Sequence, residues 1–308
     1  MLSKNKYQEK ADNATALAHK NINRSDNMFY KMIFGSTHRE DRLNDSIDLL
    51  ETAASNYKTA KDFDKYIDTL ITKSKIEKEL LDHKYIYTLI SISEHYSKDE
   101  YLDESKSFYY YDLALEYCLE NKTDSLYMVY DKIINLYEKL GKNNKVIEEC
   151  EFILEKYKHL LSNMDAKKIF EKLGEHYFTL KKYDGAQMCF DECIKKISNK
   201  TYSNFLMEKF FYKAILASLA NNDYIGSNKK FDKYCELSIT FINSTIGKFI
   251  KQILLSIQTN DLTYFHSAID KCYITFTVSE TSTLEEIEKI YFYHALDNNT
   301  LDEEIDIT

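Results

Sequence analysis

Cys189 and Cys193, four positions apart, are the two side chains best spaced to share a soft metal ion, because residues at i and i+4 meet on one helix face. A tetrahedral site needs two more ligands, and no histidine or second cysteine pair stands at the required spacing. The expected role of the two thiols is therefore core packing, with no metal. Cys118, Cys150, Cys235 and Cys272 are scattered, and with no signal peptide ahead of them all six cysteines read as reduced thiols of a cytosolic protein. The eight histidines are dispersed as well. His95 and His176 each precede a tyrosine of a repeated pattern and are expected to be satisfied between helices rather than catalytic. Carboxylate runs such as Glu148-Glu149 and Glu285-Glu286 have the pattern of a solvated helix face. No Gly-rich phosphate loop, Gly-x-Ser-x-Gly elbow or His-Glu-x-x-His occurs, so neither a catalytic residue nor a cofactor is expected.

The elements that would carry these side chains form a repeat. From Phe170 to Ser198 the positions Phe170, Leu173, Gly174 and Tyr177, then Ala186, Phe190 and Cys193, follow the aromatic-x2-Leu-Gly-x2-Tyr…Ala…Phe pattern of a tetratricopeptide (TPR) unit. Such a helix pair cannot bury its apolar face alone, so it predicts neighbours. The register recurs in steps of 39, 41, 40 and 41 residues from Tyr57 through Tyr96, Tyr137 and Tyr177 to Ser218. Each unit is longer than the usual repeat of roughly 34 residues. The expected fold is all-α, a right-handed TPR-like helical-repeat solenoid over residues 1–245, closed by a C-terminal helical bundle and acidic tail over 246–308.

Composition agrees. The 308 residues contain no proline and no tryptophan, only 6 glycines, and 26 tyrosines with 17 phenylalanines to wedge between helices. A net charge of −9 argues against bulk nucleic-acid binding, which leaves a basic footprint. No apolar run approaches the length of a membrane-spanning helix. One polar stretch has an apolar centre: Met28, Phe29, Tyr30, Met32, Ile33 and Phe34, interrupted by Lys31. Two readings stand, a loop folded back on the first helices or a membrane-touching finger at 28–35 with Lys31 and Arg39 near anionic headgroups.

The order of a helix, the loop Phe29-Tyr-Lys-Met-Ile-Phe-Gly35 and the stretch from Ala53 to Phe63 (AASNYKTAKDF) resembles the soluble NSF attachment proteins, the SNAPs, more the alpha than the gamma type. Lys209-Phe-Phe-Tyr-Lys-Ala-Ile-Leu216 is similar to a stretch of that family, and the acidic end with a penultimate Ile307 fits it too. The resemblance implies an adaptor without catalysis of its own, which lies along the four-helix SNARE complex, recruits the hexameric ATPase NSF and stimulates it to pull that complex apart. It also implies a cytoplasmic protein peripherally associated with membranes. By the same resemblance, Phe29, Tyr30, Ile33 and Phe34 take the membrane-loop role. Lys122, Lys168, Tyr202 and Phe205 face the SNARE complex, and Asp302, Glu303, Glu304, Asp306 and Ile307 meet the ATPase. Two basic positions of the family are replaced here, one by Met128, with Lys132 one turn away, and one by Glu208, and a third, in the turn holding Lys98, aligns poorly. The alternative is a divergent TPR-like scaffold for an unrelated peptide or chaperone partner, which would need neither an apolar loop nor a tail.

Overall fold

The computed structural model describes residues 2–26, 37–198, 204–272 and 274–293. These residues form helices without strands, the TPR-like helical-repeat solenoid expected from the period. The chain divides into two compact units, Met1–Leu136 and Tyr137–Thr308.

The first unit holds α1 (Leu2–Asp26), α2 (Thr37–Ala60), α3 (Phe63–Glu79), α4 (Lys84–Tyr96) and α5 (Glu104–Asn121), and each packs on the next. Helix α6 (Leu126–Lys139) crosses the division. The second unit holds α7 (Asn143–Lys156), α8 (Asn163–Thr179), α9 (Tyr183–Ser198), α10 (Asn204–Ala220) and α11 (Tyr224–Leu237), again packed in sequence order. Then come α12 (Thr245–Thr259), α13 (Leu262–Asp270) and α14 (Val278–Glu288), with α12 and α14 both lying on α10.

The register residues owe their regularity to the turns. An α-helix leaves its last carbonyls without partners, and a Schellman turn satisfies two of them by way of one residue in the left-handed conformation. Here the carbonyls of Tyr57, Tyr137, Tyr177 and Ser218 accept from the amides five residues on, Asp62 at 3.0 Å, Lys142 at 2.9 Å, Lys182 at 2.8 Å and Asp223 at 3.0 Å. The left-handed residues are Lys61, Gly141, Lys181 and Asn222. Two of the turns then start the following helix with an aspartate cap: Asp62 accepts from the Lys65 amide and Asp223 from the Gly226 amide. One short polar tetrad thus ends one helix and begins the next, so the turns need neither proline nor length.

Small residues set the closest approaches. A Cβ added at Gly174 of α8 would stand 2.9 Å from the Phe190 ring and 3.0 Å from Cys189 of α9. Cys189 and Cys193 are buried against α8, and burial pushes the Cys189 thiol up to about 12. They pack the core, as expected.

Helix α10 is the centre of the second unit. From Phe210 to Ala220 it is apolar on every side apart from Lys213 and Ser218, the pattern of a helix surrounded by protein. Phe211 is fully buried, stacked on Tyr234 of α11 at 4.3 Å and edge-on to Phe241 at 5.0 Å.

Four acid–base pairs join successive repeats at one offset, beside Lys172 with Glu138 at 34 residues and Lys230 with Asp191 at 39. Lys132 of α6 donates to Glu94 of α4 (2.6 Å), and His176 of α8 meets Glu138 of α6 (3.1 Å). Lys209 of α10 donates to Glu171 of α8 (2.8 Å), and Lys213 donates to Glu175. All four pairs are 38 residues apart, with the acid in the earlier repeat. Burial alone would raise the Glu171 carboxyl, but hydrogen bonds from Lys167 and Lys209 outweigh it and hold it below the ordinary value of 4.5.

Two measurements check this account. Phe211→Ala empties a fully enclosed site and should cost about 3–5 kcal/mol in urea unfolding; a loss below 1 kcal/mol would mean that α10 is not the core. Because the folded carboxyl of Glu171 is depressed, its contribution is complete above the unfolded value of 4.5 and is lost as pH falls through the lower folded value. Glu171→Gln should therefore be less stable than the parent at pH 7, and the gap should narrow as pH drops below 4.5. A gap that is constant with pH would remove the ion pair from the account.

Candidate partner-binding surface

Lys168 is positioned by the start of α8. Ser162 caps the helix by accepting from the Asp165 amide at 3.1 Å, while its hydroxyl donates to the Asp165 carboxylate at 2.7 Å. One turn on, Lys168 carries its ammonium 3.6 Å from Asp165, with half of its side chain exposed. Its neighbour Lys167 points the other way. That side chain is buried, donates to Glu171 at 2.5 Å and lies 5.0 Å from the centre of the Phe210 ring. One step along a helix turns the side chain by about 100°, so adjacent lysines serve opposite ends, one the interior and one the surface.

Lys122 is fixed differently. It is the left-handed residue after α5, its amide donating to the Cys118 carbonyl, and the side chain stands exposed on that turn. Lys122 lies in the first unit and Lys168 in the second. Phe205 falls in the first turn of α10, where the backbone alone is described, and Tyr202 lies outside the described residues. The membrane-loop residues Phe29, Tyr30, Ile33 and Phe34 lie outside them too, as do Asp302, Glu303, Glu304, Asp306 and Ile307 of the tail.

The two departures have physical explanations. Lys132, the nearby stand-in for the basic position at Met128, is bound to Glu94 across the repeat boundary. Glu208 is buried, so it does not present a reversed charge on the surface. His176 is held by Glu138, and His95 is buried among Phe63, Tyr96 and Tyr101, its ring stacked on Tyr101 at 4.6 Å.

Sequence reasoning did not find Lys213, the most deeply placed charge of α10. Its side chain is 7% exposed, paired with Glu175 and 3.7 Å from Glu280 of α14, and its ammonium lies 6.0 Å from the Phe190 ring centre. Glu280 in turn closes a capping box with Thr277, which accepts from the Glu280 amide while Glu280 accepts from the Thr277 amide at 2.7 Å. The surface that bears Lys168 is therefore tied to both α10 and α14 by charge. The available signal was the 38-residue spacing of acid and base.

Among the described residues no group of histidine, cysteine and carboxylate side chains could hold a metal ion, and no helix is long and apolar enough to cross a membrane.

Among known structures, the chain is similar to BtubC (BKLC) from P. vanneervenii, at 14% identity and a TM-score of 0.43, over 76% of this chain and 91% of that one. It is also similar to the TPR2AB domain of yeast Sti1 in its pHSP90 complex, at 19% identity and a TM-score of 0.27, over 92% and 98% of the respective chains. No curated protein sequence gives a significant match. The family model described as soluble NSF attachment protein, SNAP, matches residues 9–273. That match begins within α1 and runs past α13, through every repeat described above, and the chain belongs to the soluble NSF attachment protein family.

Proposed function

We propose that this chain is a SNAP-type adaptor, without catalysis of its own, that binds SNARE complexes at membranes and recruits and stimulates the NSF ATPase for their disassembly in vesicle fusion and intracellular protein transport. The observation that carries this reading is the family match over residues 9–273, which covers the repeats as one continuous stretch. It works in the cytoplasm as a peripheral membrane protein, with a helical-repeat body to residue 245 and a C-terminal bundle from 246.

Lys122 and Lys168 are the SNARE-facing cations. A SNARE bundle is acidic, so exposed lysines on an acidic adaptor orient it by charge complementarity, most strongly at low salt. Each exposed pair contributes only about 0–1 kcal/mol. The apolar contacts of Tyr202 and Phe205, together with simultaneous attachment to the membrane through Phe29, Tyr30, Ile33 and Phe34, supply the rest by raising the effective concentration. The acidic residues Asp302, Glu303, Glu304 and Asp306 dock the ATPase, and Ile307 stimulates it.

With NSF and ATP, the protein should disassemble a SNARE complex, and Ile307→Ala should lower the stimulated ATPase rate several-fold. A SNARE complex left intact by a cognate ATPase would overturn the adaptor reading. Phe29→Ser combined with Tyr30→Ser should reduce recovery with phosphatidylcholine–phosphatidylserine liposomes, while binding to soluble SNARE bundles stays at the parent level. Equal liposome recovery would return the loop to a packing role.

A further inference from the structure

The repeat-to-repeat pairing consumes many lysines but leaves Lys58 and Lys84, which line one groove, outside it. Between α2, α3 and α4 lies an open groove of about 480 Å³. Its apolar floor is made by Ala54 of α2 and Leu70 of α3, both buried, with the half-buried ring of Tyr66 beside them. Tyr87 of α4 forms a wall and is 54% exposed.

The rim is basic. Lys58 and Lys84 stand exposed on α2 and α4 and make no ion pair among the described residues. Lys58 lies 5.9 Å from the centre of the Tyr66 ring, a position that leaves its ammonium open to an incoming anion. Lys73 at the back of the groove is already neutralised by Glu51 at 2.7 Å and approaches the buried Glu77 at 3.5 Å. The lining thus holds three lysines, Lys58, Lys73 and Lys84, against one carboxylate, Glu51, whose charge is shared between Lys73 and, at longer range, Lys84, in a chain whose net charge is −9.

We propose that the groove between α2, α3 and α4 is a second docking site, taking a short acidic segment of a partner protein in which carboxylates flank one branched aliphatic side chain. The aliphatic group seats on Ala54, Leu70 and the Tyr66 ring, and the flanking carboxylates meet Lys58 and Lys84. Size sets the length of the segment. Along α2 the lining runs from Glu51 to Lys58, a rise of about 10 Å at about 1.5 Å per residue, which an extended chain crosses in about three residues. Nucleic acid does not suit this site, because the lysines are too few and the floor is greasy rather than a basic track. None of the lining residues belongs to the set assigned to SNARE, ATPase or membrane, so the proposal stands or falls separately from the adaptor reading.

The test titrates full-length protein against a fluorescein-labelled octapeptide with one central isoleucine between aspartate and glutamate residues, read by anisotropy in low salt. Two control peptides replace the isoleucine by serine or every acid by lysine. Saturable binding of the acidic isoleucine peptide is expected, at least tenfold tighter than either control. Lys58→Glu combined with Lys84→Glu should weaken it at least tenfold, with circular dichroism confirming the parent's helix content. Tyr87→Ser, at an exposed wall position that the fold does not need, should weaken it several-fold; Lys168→Glu should leave it unchanged. No saturable binding to the parent, undiminished binding by the charge-reversed or Tyr87 variants, or a serine peptide that binds as well as the isoleucine one would overturn the proposal. So would a loss with Lys168→Glu equal to that of the double variant, because the peptide would then be binding elsewhere.

Discussion

Successive repeats are held in step by an acid on one helix and a base 38 residues later, on the corresponding helix of the next repeat. Apolar packing supplies most of the stability but is tolerant of sliding, since leucine, isoleucine and tyrosine fill one another's spaces with little directional preference. An ion pair is not tolerant. Where it is exposed, as at Glu94 and Lys132, it contributes about 0–1 kcal/mol and mainly fixes register. Where it is enclosed, as at Lys213, removing Glu175 leaves a buried ammonium with only the more distant Glu280 carboxylate as ion-pair partner, which ties α8, α10 and α14 together.

This constraint also shapes the surface. A lysine bonded to the preceding repeat cannot greet a partner without breaking that bond, so Lys132 and Lys209 are poor candidates for recognition even though both are solvent-accessible. Lys168 pairs with Asp165 within its own helical turn and keeps half of its side chain at the surface. The basic footprint of this SNAP-family chain is thus thinner than its 41 lysines and arginines would imply.

The helices and their period were legible from the sequence because tyrosines near the ends of alternate helices recur, and the physical reason is now visible: the carbonyls of Tyr57, Tyr137 and Tyr177 each accept the hydrogen bond that closes a helix. Gly174 and Ala186 were legible as positions of the repeat pattern, and both are buried, Gly174 on α8 and Ala186 on α9. The fate of individual charges was not legible. Whether a lysine such as Lys167 or Lys168 faces in or out depends on where α8 begins, which Ser162 sets, and on acids a full repeat away. Glu208 read as a surface charge for the same reason: one-dimensional spacing gives its helix but not its side of that helix. The α2–α4 groove escaped notice because its rim lysines are far apart in sequence, on helices that converge only when packed.

The left-handed turn residues carry a consequence for how the molecule assembles itself. The helix-ending turns at Tyr57, Tyr137, Tyr177 and Ser218 are closed by contacts three to five residues long, and the four pairs at the 38-residue offset span a single period. A chain built from such short-range agreements has little to gain from its two ends meeting, so each repeat can form on the one before it as the polypeptide emerges during synthesis. The fixed order of acid before base gives that growth a direction. A newly made repeat leaves a carboxylate waiting, and the next one brings the cation that closes it.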